Sequence, residues 1–134
     1  MLEVICVLLL IGIISTVIIS RAMDNSAELL AEVEIVKGHV RYAQTRAMNS
    51  NHTWGINFSG NSYTLEENGA TSATSLPGES SAVGTLALGT ISSSVNPIVF
   101  NQWGNPGASV ITVVISAGPD AESFTLAPLT GFIP

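Results

Sequence analysis

Basic residues are scarce in this chain. Its 134 residues include four Lys and Arg in total, and none lies between Asn49 and Pro134. Nucleic-acid affinity rests on Lys and Arg meeting phosphates, so a net charge of −6 argues against DNA or RNA as a main partner. Cysteine is almost absent as well. Cys6 stands alone and can close no intrachain disulfide; inside an apolar run it reads as a small apolar filler. Charged residues make up only 10%. The surface must then be built from Ser, Thr, Asn and Gly, which suits an extracytoplasmic β-rich domain better than a cytosolic helical one. Proline is missing from residues 1–76, so nothing there forces a helix to break.

Catalytic signals are missing too. His39 falls within a helical stretch and His52 at its end, and neither has a nucleophile or metal-ligand spacing beside it. The default for both is a helix-face or loop histidine. Glu66-Glu67 and the pair Asp120 and Glu122 lack the spacing of a calcium loop and read as solvated acids. No Gly-rich phosphate cradle occurs. The expectation is a non-enzymatic protein with no catalytic residue, metal or cofactor.

What the chain does have begins at Val4. Val4 to Ile19 is uncharged and apolar, with Glu3 before it and Arg21 after it. Sixteen residues of helix span roughly 24 Å against a hydrocarbon core of about 30 Å, a short transmembrane segment unless Met1, Leu2 and a snorkelling Arg21 extend it. The acidic start, the length of the run and Arg21-Ala22-Met23 argue against a cleaved signal peptide. Basic residues follow the run rather than precede it, which taken alone would put the rest of the chain in the cytoplasm. An acid at the edge of such a segment is costly and usually marks a function with a partner.

From Arg21 to about Asn49 the apolar positions Leu29, Val33, Val36, Val40, Ala43 and Ala47 recur at spacings of three and four, a helical stripe. The spacing predicts one helix from the N-terminus to about residue 49, ended by Asn49-Ser50-Asn51. Beyond it the period changes to two. Thr53–Phe58 and Ser62–Leu65 read as a hairpin, residues 66–81 as a polar loop, and Val83–Ile91 as one or two weak strands. Pro97–Gln102 and Ser109–Ser116 read as strands, and Ser123–Leu126 returns as hairpin partner of the latter. Trp54, Phe58, Tyr63, Phe100 and Phe124 are candidate core residues. The expected fold class is α+β: a long N-terminal helix, transmembrane in its first half, packed on an antiparallel sheet of five to seven strands. Three segments follow, residues 1–21, 22–50 and 51–134.

Three groups of residues give the chain a resemblance to a known family. Leu2-Glu3-Val4-Ile5, with Gly12 nine residues after Glu3, resembles the N-terminal methylation segment of type IV pilin-like proteins. The run from Val40 to Asn49, followed by Trp54-Gly55-Ile56, and the late segments Ile98–Gly104 and Leu129–Ile133 resemble the minor pseudopilins of the GspH/FimT type. The resemblance implies a pilin-like fold and a single-pass protein of the bacterial inner membrane with a periplasmic β domain. It implies a structural minor subunit of a type II secretion pseudopilus, or else a minor pilin of a type IV pilus; a membrane-anchored binding module is the reading from another class. Implied partners are other pilins or pseudopilins, the assembly machinery, and a prepilin peptidase if a leader is encoded upstream of Met1. Glu3 would serve maturation and subunit docking by facing a neighbour's N-terminal amine, and Leu8, Ile11, Gly12 and Ser15 would pack the helices. Ser20 stands where family members commonly carry proline. The basic C-terminal residues with which some FimT-like proteins bind DNA are absent.

Overall fold

The computed structural model describes residues 1–22 and 26–134. Helix α1 covers Leu2–Ala22 and helix α2 covers Ser26–Met48. The continuity of the two as one helix falls on residues 23–25, outside the described residues. Among the described residues no helix is long and apolar enough to cross a membrane. The expected span from Val4 to Ile19 is not borne out among them, and the side chains of its last residues, 17–19, lie outside the described residues. Its uninterrupted apolar run is sixteen residues, several ångströms short of the roughly 30 Å hydrocarbon layer.

The stripe on α2 is the face that is buried: Leu29, Val33, Val36, Val40, Ala43 and Ala47. The helix ends where Asn49 shares its N–H between the carbonyls of Thr45 and Arg46, at 3.1 and 3.2 Å. Eight strands follow instead of five to seven, and they form two antiparallel sheets rather than one. In the first sheet β1 (Trp54–Ser59) and β2 (Ser62–Glu67) form the expected hairpin. Two short strands, β3 (Ala70–Thr71) and β4 (Val83–Thr85), share the far edge of β2. β6 (Ile98–Phe100) lies along the other edge of β1, pairing Trp54 with Phe100 and Ile56 with Ile98. The second sheet holds β5 (Thr90–Ser93), β7 (Ile111–Ala117) and β8 (Asp120–Leu126), with β7 in the middle.

The division into sheets falls in the Gly-interrupted stretch from Val83 to Ile91: β4 joins the first sheet, and β5, after Gly89, joins the second. β7 alternates strictly, burying Ile111, Val113, Ile115 and Ala117 and leaving the residues between them half-buried. α2 touches β1 and β6 of one sheet and β7 and β8 of the other, so one helix closes both over a common core. Trp54, Phe58, Tyr63, Phe100 and Phe124 all lie in that core.

One close approach requires glycine. In the middle of β1, a Cβ on Gly55 would lie 2.3 Å from the carbonyl oxygen of Ile98, so the β1–β6 pairing depends on its absence. Two residues beyond the last rung of that pairing, the Asn96 side chain replaces a strand. Its Oδ1 accepts from Phe58 N–H at 2.9 Å and its Nδ2 donates to Phe58 O at 2.8 Å.

Candidate functional site

The apolar surface that the fold leaves uncovered is concentrated on α1. Every large apolar side chain from Val4 to Ile14 is 53–63% exposed. A helix apolar on all sides is stable only when something surrounds it. Two of its hydroxyls are already bonded within the helix: Ser15 Oγ donates to Ile11 O at 2.8 Å and Thr16 Oγ1 to Gly12 O at 3.0 Å. Both hydroxyls can then enter an apolar environment without an unmet donor. Cys6 is exposed here with its apolar neighbours.

Helical geometry sorts the expected assembly residues. Leu8, Ile11, Gly12 and Ser15 stand at spacings of three and four and share one face. A Cβ on Gly12 would meet nothing within 4 Å, so this face carries an open notch. Glu3 is exposed in the first turn beside Val4, Val7 and Leu8. At about 100° per residue Glu3 and Gly12 point to opposite sides of the helix. The acid and the notch therefore lie on different sides of the exposed helix.

The two histidines are not the featureless residues the sequence suggests. His39 lies on the buried face of α2, 5% exposed. Its Nδ1 is 2.6 Å from Tyr63 Oη and its Nε2 is 2.9 Å from the carbonyl oxygen of Pro77. A carbonyl only accepts, so Nε2 carries the proton and Nδ1 accepts from the phenol. Burial pushes the Tyr63 phenol well above the usual tyrosine range, and Glu79 and Glu32 add to the effect. The phenol thus stays protonated and able to donate. The signal available in the sequence was position alone: residue 39 is three after Val36 and four before Ala43. His52 pairs through Nδ1 with Glu67 Oε1 at 2.5 Å. Glu66, grouped with Glu67 as a solvated acid, accepts from Asn57 Nδ2 at 3.0 Å. Among the described residues no group of three or more His, Cys, Asp or Glu could hold a metal ion.

A cleft of about 260 Å³ opens at one end of the first sheet, lined by Asn51, His52, Thr53, Asn101, Gln102 and Trp103. The Trp54–Phe100 rung sets residues 51–53 beside 101–103. Behind the cleft, Gln44 Nε2 donates to Gly104 O at 2.9 Å and to Thr130 O at 2.8 Å. One α2 side chain thereby ties the β6–β7 loop to the C-terminal turn.

Comparisons with known proteins bear on the fold and the family. Among solved structures, the chain is similar to the type IV minor pilin FimU of Pseudomonas aeruginosa strain PAO1 in two crystal forms. The P21 form matches with a TM-score of 0.61 at 15% identity, over 82% of this chain and 89% of that one. The P65 form matches with a TM-score of 0.59 at 15% identity, over 79% and 90%. Likeness at that identity establishes a shared fold, here the pilin-like one. No curated protein matches in sequence. The model of the family described as type II transport protein GspH matches residues 32–129. That span takes in most of α2 and all eight strands, and the chain belongs to this family.

Proposed function

We propose that this chain is a minor pseudopilin, a structural subunit of a type II secretion pseudopilus, built into the filament through α1. The family match carries this reading, and the bare apolar surface of α1 supports it. α1 lies among neighbouring pilin-like helices and lipid at the inner membrane, with the β domain on the periplasmic side. Shared burial removes the need for α1 to cross alone. The mechanism is assembly without a chemical step. Glu3 faces a cationic group of an adjacent subunit, an arrangement that low dielectric favours strongly over an isolated carboxylate. Leu8, Ile11, Gly12 and Ser15 pack against another helix.

The fold likeness to FimU favours a second reading, a minor pilin of a type IV pilus. Deleting the gene separates the two, because loss of secretion with pili intact is expected only of the first. The assembly mechanism is tested by Glu3→Leu in the native host. Subunit crosslinking should fall while membrane association and the unfolding of the β domain stay as in wild type. Crosslinking at the wild-type level would refute the role given to Glu3.

A further inference from the structure

We propose that the cleft at the end of the first sheet is a binding site for a neutral saccharide. The inference does not depend on which filament the chain enters. It starts from the contrast between the two tryptophans. Trp54 is buried, donates from Nε1 to Ser50 Oγ at 2.8 Å, and has the Arg46 guanidinium 4.7 Å from its ring centre. Trp103 is 77% exposed, and among the described residues its indole N–H has no partner. Large aromatics usually find cover, and one held bare beside a cleft is a platform in search of a flat apolar face.

The rest of the lining selects the ligand by exclusion. It contains no Lys or Arg, so an anion has nothing to hold it. The carboxylate that meets the lining, Glu67, is already paired with His52 Nδ1, so a cation finds no free counter-charge there. The indole is the one large apolar side chain of the lining, too little for an acyl chain or an apolar peptide. What remains is a set of hydrogen-bonding groups: the amides of Asn51, Asn101 and Gln102, the Thr53 hydroxyl and the His52 imidazole. The Asn51 and Gln102 amides each offer two donors and an acceptor side by side, a pattern that neighbouring hydroxyls on a sugar ring can match, while Asn101 offers its Nδ2 donors. A pyranose also has the apolar C–H face that stacks on an indole. A few placed polar groups around an aromatic surface is the usual make-up of a small-ligand site.

Both walls are held before any ligand arrives. Asn101 Oδ1 accepts from the backbone N–H groups of Trp103 at 2.9 Å and Asn105 at 3.1 Å, which fixes the turn that carries the indole. On the facing wall Thr53 N–H donates to Asn68 Oδ1 at 3.2 Å. Glu67 takes the Nδ1 side of His52 at 2.5 Å, leaving Nε2 as the imidazole's remaining polar atom. Such pre-set walls reduce the ordering cost of binding.

The test uses the full chain in lipid nanodiscs, because glycoside detergents would compete for the cleft. Ligand-observed NMR titrates two probes, a β-1,4-linked N-acetylglucosamine tetramer and an α-1,4-linked glucose tetramer. Saturable binding of at least one is expected, weakened about tenfold or more by Trp103→Ala and several-fold by Gln102→Ala. Leu129→Ala, which removes an exposed apolar side chain outside the lining, should leave it unchanged. The proposal is overturned if neither probe saturates by about 10 mM, or if Trp103→Ala binds like wild type. It is equally overturned if Trp103→Ala abolishes subunit crosslinks while no probe binds, which would make the cleft a protein contact.

Discussion

Removing the oxygen of Tyr63 should expose how much the buried imidazole of His39 contributes to the core. Tyr63→Phe keeps the ring and its packing but leaves His39 Nδ1 without its donor at 2.6 Å. An unmet buried acceptor costs about 1–3 kcal/mol. His39→Leu does more, because it strands both the Tyr63 hydroxyl and the Pro77 carbonyl, and should cost about 2–4 kcal/mol. In the double variant only the Pro77 carbonyl is left unmet. Its loss should therefore fall short of the sum of the singles by at least about 2 kcal/mol, the signature of a direct contact. In a domain of this size about 1 kcal/mol moves the unfolding midpoint by roughly 4 °C, well within the reach of near-UV circular dichroism. Additivity within about 0.5 kcal/mol would refute the coupled pair.

The same pair fixes a pH dependence with a definite sign. The folded chain holds the Tyr63 proton above the ordinary value of 10.0, since burial first and Glu79 and Glu32 after it oppose ionisation. The unfolded chain releases that proton near pH 10.0, so the folded state binds more protons above it. Stability from this group is complete below pH 10.0 and declines as pH rises beyond it. Wild type should lose thermal stability more steeply than Tyr63→Phe above that pH; equal slopes would show that Tyr63 is not the group responsible.

Gln44→Ala removes both donations that join the loop at Gly104 to the turn at Thr130, at a cost of about 1–2 kcal/mol. Hydrogen exchange should quicken at residues 101–107 and 127–131 while β7 and β8 stay protected. Gly55→Ala drives a methyl group into the Ile98 carbonyl and should cost about 1–3 kcal/mol or more, read as a lower midpoint with β6 amides exchanging first. Gly12→Leu fills space that no atom of this chain occupies, and in isolation should raise the helicity of α1 by about 1 kcal/mol of propensity. Crosslinking between subunits should nevertheless fall; assembly at the wild-type level would show that no neighbour enters the notch.

The parts of this fold legible in the sequence are those in which one periodicity dominates. The α2 stripe from Leu29 to Ala47 and the β7 alternation from Ile111 to Ala117 each bury the face their spacing marks. The hairpin β1–β2 and the return of β8 on β7 follow from local turn chemistry. The split into two sheets was hidden because strands of three or four residues, β4 and β5, carry too few side chains to declare a partner. His39 was hidden for a different reason. A histidine on an apolar stripe is ambiguous until its two partners are known, and Tyr63 and Pro77 lie 24 and 38 residues away. The cleft depends on strand register: only the Trp54–Phe100 rung brings Asn51, His52 and Thr53 beside Trp103.

The two helices divide their work in a way that bears on how assembly can be specific. α2 closes the core against both sheets, whereas α1 displays its apolar side chains outward. Each such side chain gains about 1.5–3 kcal/mol when fully covered, and those from Val4 to Ile14 together outweigh the cost of ordering two helices. That drive is indifferent to the cover, however, because lipid tails are as apolar as leucine. Hydrophobic burial can thus hold α1 at a membrane without choosing a neighbour. The choice must come from features that lipid cannot satisfy. α1 has two among its described residues: a notch at Gly12 that only a close-fitting side chain fills, and a carboxylate at Glu3 that only a cation or donor answers. Because they face opposite sides of the helix, the proposed assembly would use them toward two different neighbours. Such an arrangement would be a head-to-tail contact, which propagates as a filament when its rotation does not close.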